Sequence, residues 1–294
     1  MSSEFGKNIR VSVFGQSHGK AIGVVIDNLP AGEEIDEAEL LAFMNRRKPG
    51  GVLATKRKED DVPVFLAGLV DGKTSGSPLC AIIENADARP KDYEALSTVP
   101  RPSHADYTAF VKWGGGADMR GGGHFSGRLT APLCIAGGIA KQLLARRGIF
   151  VGAHLLEVGG VKDAPFPLYP GGELFAQIAN KEFPAIDDER ATAMQAAIAE
   201  AAKDADSIGG VVECAAIGLP AGIGSPMFEG VENRLAGAIF GIPAVKGIEF
   251  GAGFESARKR GSDNNDPFCI DDKGEIKTTK NDSGGILGGI TNGM

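Results

Sequence analysis

Four polar stretches in this chain combine glycine with residues that can move protons or hold anions. In Phe14-Gly15-Gln16-Ser17-His18-Gly19, a histidine sits in a glycine-bounded turn after an apolar run. An imidazole titrates near neutrality, so it can donate a proton to a leaving group at physiological pH. A surface or structural role is the alternative for a histidine so placed. In Asn45-Arg46-Arg47-Lys48-Pro49-Gly50-Gly51, three cations close a segment with helical spacing. They suit the negative end of a helix dipole. They suit equally a phosphate or carboxylate clamp, for which arginine's planar fork is shaped.

The third stretch, Arg101-Pro102-Ser103-His104-Ala105-Asp106-Tyr107-Thr108, sets a titratable His104 near the fixed charge of Arg101. Asp106 and Tyr107 read as capping and packing residues. The fourth, Arg120-Gly121-Gly122-Gly123-His124-Phe125-Ser126-Gly127-Arg128-Leu129-Thr130, runs straight into a long apolar segment. Exposed amides of a glycine-rich segment at a helix N-terminus bind anions. Other chemistries find little support. Gly68 to Thr74 is one residue short of a phosphate-binding P-loop and lies between strands, so it reads as a hairpin turn. No dinucleotide fingerprint follows a strand in a βαβ setting. The four histidines are widely separated, with neither an H-E-x-x-H pattern nor paired cysteines, so no zinc site is expected. Ser17 followed by His18 is not by itself the signature of a nucleophilic triad.

These stretches need a scaffold, and 294 residues with 43% hydrophobic content can bury a large core as one domain or two intimate ones. The net charge of −7 argues against a nucleic-acid binder. It leaves room for an anionic substrate, because local arginines dominate at short range. The 43 glycines are clustered without a Gly-X-Y period, which excludes a collagen-like chain. Cys80, Cys134 and Cys214 lie in apolar runs and read as reduced core residues. The chain opens on polar residues with no apolar signal region, and no run approaches the ~18 apolar residues of a membrane span. A cytoplasmic enzyme is the expectation.

Residues 9–14 and 21–27 read as a hairpin with a polar tip. A helix is predicted over 36–47, with Asp36 and Glu39 at capping-box spacing, Leu40, Leu41 and Met44 as its stripe, and Pro49-Gly50-Gly51 as its stop. Residues 62–70 and 78–83 read as strands joined by a Gly/Ser turn, 104–113 as a short helix, and 129–147 as a long apolar helix. Gly137 and Gly138 in that helix predict close packing. The second half is predicted to hold helices at 189–205 and 228–240, strands at 210–218 and 244–250, and a long mobile loop at 260–280. Leu29-Pro30-Ala31-Gly32 and Leu219-Pro220-Ala221-Gly222 each close a strand before a helix. The shared order favours two related halves in an α+β fold.

In this order the stretches resemble the signature segments of chorismate synthases. The family's G-E-S-H-G stands at Gly15 to Gly19 with Gln16 for Glu, R-P-x-H-A-D-Y-T at Arg101 to Thr108, and R-G-G-G-x-x-S-x-R-x-T at Arg120 to Thr130. Asp206 to Gly210, Ala244 to Phe250 and Gly284 to Gly293 match further segments, so the resemblance covers nearly the whole chain, 1–294, as a single domain of this type. It implies a fold with helices sandwiched between antiparallel sheets and a homotetramer. It implies reduced FMN as cofactor, with NADPH as an external reductant. The reaction it implies is a 1,4-anti elimination from 5-enolpyruvylshikimate 3-phosphate, giving chorismate and phosphate.

By residue-by-residue match, His18 would protonate the departing phosphate and His104 would act on the flavin. Ser17, Arg46, Arg47, Arg101 and Arg128 would hold the substrate's phosphate and carboxylates. His124, Phe125, Ser126, Pro243, Ala244 and Gly288 fall where the family contacts FMN. His18, His104 and the 120–130 loop are expected to converge on one cleft. Arg57 lies in a run of mixed charge that reads as solvated. Two departures stand out: Gln16 replaces a carboxylate, and Pro243 takes a place where asparagine is common. The family's K-P-T and R-x-D-P segments have no counterpart within these residues, which implies a more open flavin pocket and little activity. A folded but catalytically incompetent fragment of the family is therefore the competing expectation. An unrelated phosphate-binding module is a third.

Overall fold

The hairpin expected at the start of the chain seeds a larger antiparallel sheet. The computed structural model describes residues 3–48, 59–85 and 99–294. The chain forms two compact units, Met1–Leu143 and Leu144–Met294. Pro49-Gly50-Gly51 and Arg57 lie outside the described residues.

In the first unit the elements run β1 (Glu4–Phe5), β2 (Arg10–Gly15), β3 (Ala21–Asp27), α1 (Glu37–Arg47), β4 (Val64–Ala67), β5 (Leu69–Val70), β6 (Lys73–Thr74), β7 (Leu79–Glu84), α2 (Asp106–Trp113) and α3 (Thr130–Ala145). One sheet has the order β1-β2-β3-β7-β4. Every pairing in it is antiparallel. Alternate residues share a face of a strand. Ile22, Val24 and Ile26 therefore join Leu79, Ala81 and Ile83 in the core, against Leu40 and Met44 of α1 and Ile135 and Ile139 of α3. Each such side chain contributes roughly 1.5–3 kcal/mol by leaving water.

The Asp36 carboxylate accepts from the Glu39 amide at 2.9 Å, as the spacing predicts. The reciprocal half of the box is replaced: the Asp36 amide donates instead to Gln142 Oε1 at 2.9 Å. Of the two helix glycines, only Gly138 answers to close packing. A methyl there would lie 2.5 Å from Leu40 Cδ1, whereas one at Gly137 meets nothing within 4 Å.

The strand expected over 62–70 is two strands, β4 and β5, because Gly68 takes a positive φ of 89° at the break. The joining turn is itself the β5–β6 hairpin, with Asp71 and Gly72 both at positive φ. That is the backbone of a two-residue hairpin loop, for which Asp-Gly is favoured. The stretch that resembles a P-loop is thus a turn.

The second unit contains β8 (Phe150–Val158), β9 (Val161–Lys162), α4 (Gly172–Ala179), α5 (Asp188–Lys203), β10 (Gly210–Ile217), α6 (Val231–Ile239), α7 (Gly261–Asn264), β11 (Phe268–Ile270), β12 (Ile276–Thr278), β13 (Ile286–Leu287) and β14 (Ile290–Thr291). Strands β10, β8 and β9 form an antiparallel sheet. Helix α4 lays Phe175 on Gly152 of β8, where a side chain would meet the ring at 2.2 Å. His154 of β8 is buried between Asp163 (3.1 Å) and Glu213 (2.7 Å).

Three sequence expectations fail here. No strand forms over 244–250: Ala244 adopts a positive φ of 68° and the segment joins no strand among the described residues. Residues 260–280 are not a mobile loop but carry α7 and the β11–β12 hairpin, closed by Asp271, whose carboxylate accepts the Lys273 and Glu275 amides. Cys214 is exposed on β10, a strand with no fully buried residue, while Cys80 and Cys134 are half-buried.

The repeated Leu-Pro-Ala-Gly is structural. In the first unit Thr74 Oγ1 donates to Pro30 O (2.6 Å) and accepts from Glu33 N (2.9 Å), while Gly32 N donates to Thr74 O (2.7 Å). In the second, Thr291 makes the same three bonds to Pro220 O (2.7 Å), Ile223 N (2.9 Å) and Gly222 N (2.8 Å). The two halves share a clasp as well as an element order, and the fold is α+β.

Candidate active site

The Gln16–Gly19 turn closes the β2–β3 hairpin and is stitched to the glycine loop 120–125. Ser17 is buried; its amide donates to Gly123 O at 3.1 Å and its hydroxyl to Arg120 O at 3.1 Å. His18 Nδ1 lies 3.0 Å from the same hydroxyl. The hydroxyl has one proton, and the Arg120 carbonyl can only accept it. His18 Nδ1 therefore donates to Ser17, which leaves Nε2 as the position for proton exchange. Ser17 stands behind His18 as an orienting group.

The glycine loop is what lets the two histidines share a site. A Cβ on Gly121 would lie 2.1 Å from the His18 ring, and one on Gly122 would lie 3.2 Å from the His104 ring. Both glycines have positive φ, 61° and 95°. Consecutive residues of one loop thus form the surface against which both imidazoles rest, and any side chain there would displace a ring.

His104 is held by Asp106 at the start of α2. Its Nδ1 lies 2.9 Å from Asp106 Oδ1 and 3.1 Å from Arg101 Nη2. Arg101 grips the same carboxylate through Nε (2.8 Å), Nη2 (2.7 Å) and its backbone amide (2.9 Å). These contacts on Nδ1 orient the ring and leave Nε2 turned away from Asp106. Hydrogen bonds from Arg101 hold the Asp106 carboxyl well below the usual carboxylate range, against burial and with help from the His104 and Arg101 charges. The folded-state pKa lies below the unfolded one, so Asp106 stabilises the fold above about pH 4 and the contribution fades as pH falls further. The stability gap between the protein and Asp106→Asn is expected to narrow between pH 7 and pH 3. Urea midpoints at the two pH values test it, and a constant gap would contradict the pairing.

Arg47 and Arg128 meet on one buried carboxylate. Asp61 is 0% exposed and Arg128 3%. Arg128 Nη1 bonds Asp61 Oδ1, Arg47 Nη2 donates to Asp61 Oδ2 at 2.6 Å, and Arg128 Nε donates to Asn85 Oδ1 at 3.1 Å. Burial raises the Asp61 pKa, but the hydrogen bonds and charges of the two arginines win and hold it below its ordinary value. Glu59 Oε2 stands 3.7 Å from Arg128 Nη2. Arg47 Nε and Arg128 Nη2 are buried without a hydrogen bond among the described residues. Cationic donors left over in this way fit an anionic ligand. Arg46 is exposed in the last turn of α1, where its charge also suits the helix dipole.

The residues expected to contact a cofactor divide. Both ring nitrogens of His124 are engaged, with Gly15 O at 2.8 Å and Ser3 Oγ at 2.6 Å, so this side chain fastens β2. Ser126 Oγ accepts from the Arg128 amide and caps the turn before α3. Phe125 is exposed beside Trp113, with ring centroids 5.5 Å apart. Pro243, Ala244 and Gly288 are exposed in the second unit, and a Cβ on Gly288 meets nothing within 4 Å. The exposed Phe125 ring and the His104 Nε2, which has no hydrogen bond among the described residues, fit a planar aromatic cofactor.

Sequence reasoning missed Glu59, Asp61 and Asn85. Residues 57–61 read as solvated, yet Glu59 and Asp61 are buried. Asp61 takes a positive φ of 48° in an irregular segment ahead of β4, so no strand or helix period in the sequence marks the pair.

The profile of the chorismate synthase family matches residues 9–294. A chorismate synthase of Lancefieldella parvula is 45% identical, over 100% of this chain and 80% of that protein. One from Thermococcus kodakarensis is 47% identical, over 98% of this chain and 79% of its own length. A solved structure described as a crystal structure of chorismate synthase superposes with a TM-score of 0.76 at 27% identity, covering 98% of this chain and 82% of that one.

Proposed function

Since the chain belongs to the chorismate synthase family and acts in chorismate formation, we propose that it is a carbon–oxygen lyase working through the loop shared by His18 and His104. The substrate in this reading is 5-enolpyruvylshikimate 3-phosphate, which loses its C3 phosphate and a C6 hydrogen in a 1,4-anti elimination. The observation that carries it is the seating of the two imidazoles on Gly121 and Gly122, in a loop that leads directly to Arg128. Similarity along the whole chain favours this over a catalytically incompetent fragment.

His18, held by Ser17 through Nδ1, gives the proton on Nε2 to the departing phosphate as the C3–O bond breaks. Arg47 and Arg128 take the anionic groups on their spare donors, and Asp61 keeps the two guanidinium groups side by side. Arg101 holds Asp106 through Nε and Nη2, this pairing orients His104, and a further role for Arg101 in holding the substrate rests on family match. Reduced FMN, when bound, would supply electron density for the loss of phosphate and a place for the hydrogen. His104 Nε2 and Phe125 would face it in the first unit. His124 and Ser126 would shape its surroundings through the loop. Pro243, Ala244 and Gly288 join this reading on family match alone. Reduction by NADPH, a homotetramer and a cytoplasmic location complete it.

Anaerobic assay with dithionite-reduced FMN should release phosphate and chorismate in equal amounts. Phosphate release without chorismate, or release independent of flavin, would overturn the reading.

A further inference from the structure

We infer that Asn85 is a positioning residue that couples the proton-donating turn to the anion-binding arginine; this rests on the roles proposed for His18 and Arg128. Asn85 follows β7, and its amide donates to Lys20 O at 3.1 Å, prolonging the β3–β7 pairing by one step. That places its side chain beside the Gln16–Gly19 turn. Nδ2 donates to Gln16 O at 3.0 Å and to Gly19 O at 2.9 Å, the two carbonyls that flank Ser17 and His18. Oδ1 accepts from Arg128 Nε at 3.1 Å.

The orientation of the amide is forced. Both carbonyls can only accept and the guanidinium can only donate, so a flipped amide would make three repulsive contacts. One planar group therefore sets the distance between His18 and Arg128. No other side chain of this length offers two donors on one arm and an acceptor on the other. Aspartate keeps the acceptor for Arg128 and loses both donors to the turn, whereas alanine loses both arms.

The two variants should therefore split the kinetics. Asn85→Asp frees the turn and leaves Arg128 held, so kcat should fall ~10–100-fold with substrate KM within about 3-fold. Asn85→Ala releases both, so kcat should fall by about as much and KM should rise ~10-fold. Hydrogen exchange in the peptide covering residues 14–20 should quicken in both variants, a readout that needs no turnover. Asn85→Asp with kcat within about 3-fold of the parent, or equal kcat and KM changes in the two variants, would overturn the inference. Unchanged exchange in both variants would overturn it as well. A parent protein that forms no chorismate with reduced FMN would sink the proposed function instead, and exchange would still decide whether Asn85 ties the turn.

Discussion

Replacing His18 with alanine is expected to lower turnover by roughly 10²–10⁴-fold, the scale of a positioned general acid, and His104→Ala by a similar factor. The two losses should have different origins. His18 has its Nδ1 committed to Ser17, so its loss removes the proton donor at Nε2 and leaves Ser17 bonded to Arg120 O. His104 is oriented by Asp106, and its loss leaves the Arg101–Asp106 pair intact. Neither change opens a packed core, so unfolding midpoints should barely move. Steady-state phosphate release and chorismate formation, measured under anaerobic reduction, check both variants. Near-parental rates in both would remove these histidines from the mechanism.

Replacing Arg128 with alanine should cost stability as well as substrate binding. The side chain is one of two cations on Asp61, a carboxylate with no exposure at all. Breaking a buried pair costs up to about 3–5 kcal/mol, and Arg47, which stays on Asp61, should hold the loss towards the low end. Losing a charged hydrogen bond to a substrate anion should weaken binding by a further ~1.5–3 kcal/mol. Arg47→Ala should be milder in stability, because Arg47 is the more exposed of the two. The double variant Arg128→Met with Asp61→Asn separates the effects. It removes both charges at similar volume but takes the Asp61 carboxylate from Arg47, so it should regain part of the stability and none of the binding. Urea titration and substrate calorimetry on the three variants provide the measurements. Parental affinity in the double variant would show that Arg128 is a structural cation only.

The site was partly legible in the sequence because two of its pieces are local. His104 and Asp106 are two residues apart, and Ser17 and His18 are adjacent, so turn and helix-start patterns expose them. Asp61 and Asn85 were not legible. They reach Arg128 across separations of 67 and 43 residues, and nothing in the spacing of a mixed-charge run reveals which carboxylate will be buried. His124 shows the reverse: its motif position suggests a cofactor contact, while its ring nitrogens are engaged with Ser3 and Gly15.

By itself the sequence determined the family, the β2–β3 hairpin, the Asp36-capped helix and the two Leu-Pro-Ala-Gly turns, because alternation, capping and turn chemistry act within a few residues. Only the tertiary structure decided that no strand forms over 244–250, that Cys214 is exposed and that residues 260–280 fold into a helix and hairpin. It alone placed both imidazoles on consecutive glycines and two arginines on one carboxylate. Those outcomes depend on which distant strand or loop lies within hydrogen-bonding reach, and chain topology sets that proximity.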